Sequence, residues 1–258
     1  MGQQMIDLHS HILPGIDDGA RSDAESLEIL KMAVDQGIDT VVVTPHYDHR
    51  YTNETSHILT QTERLQQLVL ENGLKVQLLP GQEIRMYSEL LVDYRLGKLL
   101  TLAHSRYLLI EFPANDIPSC TEPLFYELEM MGIKPVIAHP ERNLEFLQTP
   151  EKLYRLVQRG ALTQLTAGSV LGLFGKQVQK FSYQLIDADL VHVLASDVHN
   201  MEKRPFNLGE GYDLIFQKYG LEQLNYFKDN ARLMVEDQTI YPRTPQEIRR
   251  KKALTLWG

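Results

Sequence analysis

The sequence predicts a single-domain α/β barrel, and three observations carry that reading. Its 258 residues, 43% of them hydrophobic, suffice for one full-sized core and match the usual span of such a barrel. Short apolar or β-branched runs alternate with longer helical stretches, the pattern of repeated β-α units around a parallel sheet. Ionisable residues, histidines above all, follow nearly every one of these runs, where parallel barrels gather their active sites.

About seven strand-like runs can be picked out, at 5–9, 40–44, 75–79, 107–112, 135–139, 163–166 and 191–196. After the first, Ser22-Asp23-Ala24-Glu25 reads as a capping box opening an amphipathic helix. Leu27, Leu30, Ala33 and Val34 share its apolar face and Gly37 stops it. Helical patterns recur over 121–131 before Gly132, over 150–157 ahead of Gly160, and over 176–188. No repeat, low-complexity segment or Pro/Gly-rich linker divides the chain. Beyond Tyr241 the pattern decays into Pro242, Pro245 and the cluster Arg249-Arg250-Lys251-Lys252. The barrel is therefore assigned to 1–240, and 241–258 to a peripheral, solvated basic tail.

Composition excludes several classes of function. A formal net charge of −8 argues against nucleic-acid partners, whose phosphates are met by clustered Lys and Arg. Met1-Gly2-Gln3-Gln4 lacks the regions of a signal peptide, and no apolar run approaches the roughly 18 residues of a membrane span. A cytoplasmic protein, not itself a membrane protein, is expected. The single cysteine, Cys120, excludes an internal disulfide framework and a thiolate zinc knuckle. A Cys-x5-Arg phosphate loop is excluded too, because Tyr126 stands where arginine is required.

The polar residues at the strand ends carry the chemistry. Asp7, His9 and His11 alternate with Ile6, Leu8 and Ser10, so an extended strand would direct all three to one side. His46 follows Val41-Val42-Val43-Thr44, Glu83 follows Leu78-Leu79-Pro80-Gly81, and Glu111 follows Leu108-Leu109-Ile110. His139 follows Val136-Ile137-Ala138, and Asp197 and His199 follow Val193-Leu194-Ala195-Ser196. A lone histidine at a strand end is ordinarily structural. Charged or imidazole groups ending about six buried strands would be costly unless compensated, and shared metal coordination compensates them. His49 and His57 fall in a polar segment with Tyr47, Asp48, Arg50 and Tyr51 that reads as a surface or substrate-facing loop. His104 and His192 have no ligand-like context.

The ordered set His9-Ser10-His11, Thr44-Pro45-His46, Gly81-Gln82-Glu83, Ile110-Glu111-Phe112, Ala138-His139-Pro140-Glu141-Arg142 and Ser196-Asp197-Val198-His199-Asn200 resembles the polymerase-and-histidinol-phosphatase (PHP) superfamily. Within it, the stretches from Met5 to Pro14 and from Pro135 to Arg142 are most similar to the tyrosine-protein phosphatases of bacterial capsule and exopolysaccharide operons. The resemblance spans about 5–240. It implies a distorted (β/α)7 barrel with two to three divalent ions, manganese by family expectation, with Fe, Zn or Co also compatible with oxygen and imidazole ligands.

By motif matching, the resemblance assigns His9, His11, Glu83 and Asp197 to one ion, and Glu83, Glu111 and His139 to a second, with Glu83 bridging. His46 and His199 would hold a third, with Asp18 from the turn-like Asp17-Asp18-Gly19. Asp7 is expected to orient a histidine by hydrogen bond rather than bind metal. Arg142 and Arg204 are the expected phosphate-binding groups, since a guanidinium matches two phosphate oxygens. The implied activity is hydrolysis of phosphotyrosine by metal-activated water. The implied substrate is the tyrosine-rich tail of a membrane-associated autokinase controlling polysaccharide export. A PHP hydrolase of histidinol phosphate or another small phosphoester is the alternative that these residues leave open.

Overall fold

The computed structural model describes residues 4–248. Among them run nine short strands: β1 (Ile6–Asp7), β2 (Thr40–Val43), β3 (His46–Tyr47), β4 (Gln77–Pro80), β5 (Glu83–Arg85), β6 (Tyr107–Glu111), β7 (Lys134–Ala138), β8 (Leu162–Thr166) and β9 (Val193–Ala195). All pair in parallel, in the orders β1-β2-β4 and β3-β5-β6-β7-β8-β9. The two sheets are parts of one ring. β3 continues β2 after Thr44-Pro45, and β5 continues β4 after Gly81-Gln82, with His46 paired to Glu83. A parallel bridge between Ser10 and Val198 closes the circle, leaving seven staves as the family resemblance implies.

Both interruptions have local causes. Pro45 has no N–H to give a ladder. Gly81 lies so close to its neighbour that a Cβ there would meet Val42 Cγ1 at 2.8 Å. The chain kinks at these points, and the residues just beyond, His46 and Glu83, are re-aimed at the barrel mouth.

Alternation along the strands sorts the core into two layers. Val42, Leu109, Val136, Val193 and Ala195 pack together inside the barrel. Val41, Val43, Leu108, Ile110, Ile137 and Leu194 face the surrounding helices. The far end of the barrel is stoppered by Tyr107, Ala231, Met234 and Ile240.

Each expected strand run contains a strand, but the first shrinks to Ile6–Asp7 and the third shifts to Gln77–Pro80. Four expected helices appear: α1 (Asp23–Asp35), α4 (Thr121–Met130), α6 (Pro150–Gln158) and α8 (Lys176–Asp187). Ser22 caps α1 through Glu25 N. The other half of the expected box differs, because the Glu25 carboxylate accepts from Arg21 N rather than returning to Ser22.

Five helices were not anticipated: α2 (Thr55–Glu71), α3 (Leu90–Arg95), α5 (Leu144–Gln148), α7 (Ala167–Leu171) and α9 (Leu208–Val235). α2 contains His57, which is therefore no loop residue. α9 was hidden by its own glycines, and it breaks at Gly220, where φ is 80°. Beyond α9 the chain runs without regular structure to 248. There Arg243 pairs with Glu222 and Asp189 and packs over the Tyr226 ring, and Gln246 N donates to Ala188 O. The basic cluster Arg249 to Lys252 lies outside the described residues.

Candidate metal centre

The structure brings all nine expected ligands into one cluster at the carboxyl ends of the strands. Glu83 is its centre. One carboxylate oxygen lies 2.8 Å from His139 Nε2. The other lies 2.9 Å from His46 Nδ1 and 3.3 Å from the Nε2 atoms of both His9 and His11. Asp197 faces the same rings, with Oδ1 3.4 Å from His9 Nε2 and 3.5 Å from His11 Nε2. Asp18, the most exposed member, sits 3.3 Å from His46 Nε2 and 3.5 Å from His199 Nε2.

Ligand-type atoms gather within 4.8 Å of one another in four overlapping groups: His9, His11 and Glu83; His9, His139 and Asp197; His46, Glu83 and Glu111; and His11, Asp18, His46 and His199. Among the described residues, buried atoms aimed into this cluster lack partners in hydrogen-bonding geometry despite their close neighbours, namely Glu83 Oε2, Asp197 Oδ1 and His199 Nε2. Orphaned lone pairs on a buried carboxylate are costly. A set of imidazole and carboxylate donors converging without satisfied hydrogen bonds fits divalent cations, and the absence of sulfur suits the harder ones.

Two backbone features aim these side chains. β1 ends at Asp7, so the alternation expected through Asp7, His9 and His11 does not hold. His9 and His11 converge, Nε2 to Nε2 at 3.1 Å, while Asp7 accepts from Ser196 N and Oγ. Asp7 thus fixes the β9 end that carries Asp197, and no histidine side chain, contrary to expectation. His139 follows β7 with φ at +33°, a left-handed conformation that a non-glycine residue rarely adopts. Strand alternation would leave it on the outer face beside Ile137, and the left-handed turn brings it inward instead. The turn is pinned by Glu141, whose buried carboxylate accepts from Ser169 Oγ and Thr166 N.

Sequence reasoning missed the groups that set the imidazole tautomers. His11 Nδ1 donates to Asp17 Oδ2 at 2.8 Å, and His9 Nδ1 donates to Gln164 Oε1 at 2.8 Å. Each bond leaves Nε2 to face the cluster, the usual arrangement of a metal-binding histidine and its outer partner. Asp17 lay within the quoted Asp17-Asp18-Gly19, but nothing in that turn signal separates the roles of its two carboxylates. Gly19 makes the arrangement possible: a Cβ there would stand 1.9 Å from His11 O. Gln164 carries no sequence signal beyond its place on a strand.

Electrostatics follow from this crowding. Burial disfavours charge on His9, but Glu83 and Asp197 outweigh it and lift its pKa to about 9. His46 is likewise penalised by burial and lifted to about 11 by Glu83 and Asp18. Burial, reinforced by the neighbouring His11, lowers His199 to about 4. Against the desolvation that opposes it, Asp197 is held well below the carboxylate range by Arg142, His9 and Arg204. The His199 and His46 rings facing its carboxylate hold Asp18 low. Asp197 and Asp18 are thus ready as anionic ligands, and a cation would displace protons from His9 and His46.

Both expected phosphate-binding arginines reach the mouth. Arg142 Nη2 lies 2.6 Å from Asp197 Oδ2, and Arg204 Nη2 donates to that same oxygen. Asp197 therefore presents one oxygen to the histidines and the other to two guanidiniums. Beside them opens a cavity of about 250 Å³, lined also by Arg50, Arg85, Phe112 and Asn143. Arg85, also unanticipated, holds Glu111 Oε2 at 2.7 Å. Cys120 stands just before α4 and does not line the cavity.

Comparison with known proteins agrees with this architecture. The chain is 43% identical over 249 residues to tyrosine-protein phosphatase YwqE of Bacillus subtilis, covering 96% of this chain and 98% of that protein. To tyrosine-protein phosphatase CpsB of Streptococcus pneumoniae it is 34% identical, covering 92% of this chain and all of that protein. A solved structure from the work on B. subtilis YwqE and S. pneumoniae CpsB, described as unique metal-dependent tyrosine phosphatases, aligns with a TM-score of 0.93. It is 42% identical and covers 95% of this chain and 100% of that chain. The profile of the capsular polysaccharide synthesis CpsB/CapC family matches residues 5–236, and the chain belongs to that family.

Proposed function

We propose that this chain is a metal-dependent protein-tyrosine phosphatase acting in capsular polysaccharide synthesis. The observation that carries the reading is the single cavity in which Glu83, bordered by four imidazoles, faces the paired guanidiniums of Arg142 and Arg204. His9, His11, Glu83 and Asp197 would hold one ion, Glu83, Glu111 and His139 a second, and Asp18, His46 and His199 a third. Divalent ions bound there would supply Lewis acidity toward phosphoryl oxygens and bring the pKa of water toward about 7.

The protein's own groups supply the rest. Arg142 and Arg204, drawn together by Asp197, bind the phosphoryl oxygens and neutralise charge that spreads over them as the ester bond breaks. Asp17 and Gln164 hold the His11 and His9 rings in one tautomer. Water attacks phosphorus directly and displaces the tyrosine phenolate, without a phosphocysteine, since Cys120 stands apart from the cavity.

The finer assignments rest on the family resemblance: manganese as the native metal, two to three ions, a cytoplasmic location, and the tail of a membrane-associated tyrosine autokinase as substrate. Among the described residues no helix is long and apolar enough to cross a membrane. The test is a turnover panel with chelated protein reconstituted with Mn²⁺, Zn²⁺ or Mg²⁺, offered phosphotyrosyl and phosphoseryl peptides, histidinol phosphate and single-stranded DNA. Metal-dependent turnover favouring the phosphotyrosyl peptide, retained in Cys120→Ser, is expected. A higher kcat/KM on histidinol phosphate would overturn the substrate, and loss of activity in a folded Cys120→Ser would overturn the mechanism.

A further inference from the structure

Two of the four arginines lining the cavity are occupied with Asp197, and Arg85 is held by Glu111. Arg50 is placed differently. It stands at the tip of the hairpin that leaves β3, and its side chain is 61% exposed at the rim. Among the described residues its one ion pair is a long one, 3.4 Å to Asp48 Oδ2. Asp48 meets that charge only in part: its Oδ2 makes this one long contact, its Oδ1 accepts from the backbone N–H groups of Arg50 and Tyr51 at 2.7 and 2.8 Å, and the Arg50 side chain stays largely in solvent.

The hairpin is a built structure rather than a loose loop. Tyr47 and Thr52 form an antiparallel bridge, Asp48 N donates to Tyr51 O, and Asn53 Nδ2 donates to the carbonyls of Ile16 and His46. The Arg50 guanidinium lies over the Tyr51 ring, 5.3 Å from its centroid. Tyr51 in turn stacks on His46, with centroids 6.1 Å apart and planes inclined by 13°. Arg50, Tyr51 and His46 thus form a stack from the rim to the metal cluster, and stacking reduces the freedom a guanidinium must lose on pairing.

We propose that Arg50 forms a subsite for an acidic side chain beside the phosphotyrosine, so that the protein prefers phosphotyrosines flanked by Asp or Glu. This rests on the phosphatase reading above and specifies its substrate class. A phosphoryl group seated at Arg142 and Arg204 leaves the peptide backbone to cross the rim, where a fixed, solvent-facing cation that Asp48 neutralises only in part favours a carboxylate and disfavours lysine.

The experiment uses the metal-loaded full chain and phosphotyrosyl peptides differing only in flanking Glu, Ala or Lys on either side. The quantity read is the ratio of kcat/KM for the Glu-flanked to the Ala-flanked peptide. Wild type should show a ratio of roughly two to five, the range for one partly exposed ion pair, and it should shrink at high salt. Arg50→Lys should keep part of the preference, Arg50→Ala should bring the ratio to unity, and Arg50→Glu should turn the preference toward Lys. A wild-type ratio of one, or a preference that survives in Arg50→Ala, removes the subsite while leaving the phosphatase intact. Failure of wild type to turn over any of the phosphotyrosyl peptides defeats the phosphatase reading and the subsite together.

Discussion

The two ends of the barrel both bury histidine, with opposite results. At the mouth, His9 is wholly buried among Glu83, Asp197 and His11, and its pKa rises to about 9. At the opposite end His192 is just as buried, but among the described residues no carboxylate offsets that burial. Thr163 N donates to its Nδ1, its Nε2 has no hydrogen-bond partner among the described residues, and burial alone lowers its pKa to about 3. Burial penalises charge at both positions, and the neighbours decide the outcome. The mouth gathers charge that protein alone satisfies poorly, whereas the closed end keeps its imidazole neutral inside a packed plug.

The largest break in this contrast comes from Glu83→Gln. Losing the central carboxylate should lower bound metal by more than one equivalent and reduce kcat/KM on a phosphotyrosyl peptide by about three decades, or ~4 kcal/mol. Elemental analysis showing an unchanged metal count would remove the bridging role. Arg142→Ala and Arg204→Ala should each reduce kcat/KM by roughly one to three decades, about 1.4 to 4 kcal/mol, while sparing metal content. Inhibition by inorganic phosphate should weaken in parallel. If phosphate inhibits both variants as well as it does wild type, the guanidiniums serve only to hold Asp197.

The smallest effect belongs to the closed end. His192 has a folded pKa of about 3 against an ordinary value of 6.5, so the unfolded chain binds the extra proton between those values. Its stabilising share is complete above 6.5 and is lost as pH falls toward 3, at up to about 1.4 kcal/mol per pH unit. Urea midpoints of wild type and His192→Asn should therefore diverge in slope between about pH 6.5 and about pH 5.5, with wild type the more acid-sensitive. Parallel slopes would show that His192 already titrates in the folded protein.

The same contrast explains what the sequence made legible. Glu83, Glu111 and Asp197 could be read because a charge after an apolar run needs a partner, and the ordered motifs supplied the family pattern. Seven runs gave seven staves, although β3 and β5 escaped notice because Pro45 and Gly81 break the periodicity just where the ligands begin. Asp17 and Gln164 could not be assigned, since the Asp17-Asp18-Gly19 turn does not say which carboxylate reaches His11, and Gln164 meets His9 from far along the chain. Asp7 was read by alternation along a strand that stops too soon. α9 escaped because glycines at 209, 211 and 220 interrupt a helix held by packing against the barrel rather than by propensity.

The most direct measurement follows phosphotyrosyl-peptide turnover against metal equivalents bound as chelated protein is reloaded with Mn²⁺. The account predicts negligible turnover in the stripped protein, recovery as two to three equivalents are taken up, and no comparable recovery in Glu83→Gln. Full turnover by protein holding no metal, in the continued presence of chelator, would contradict it.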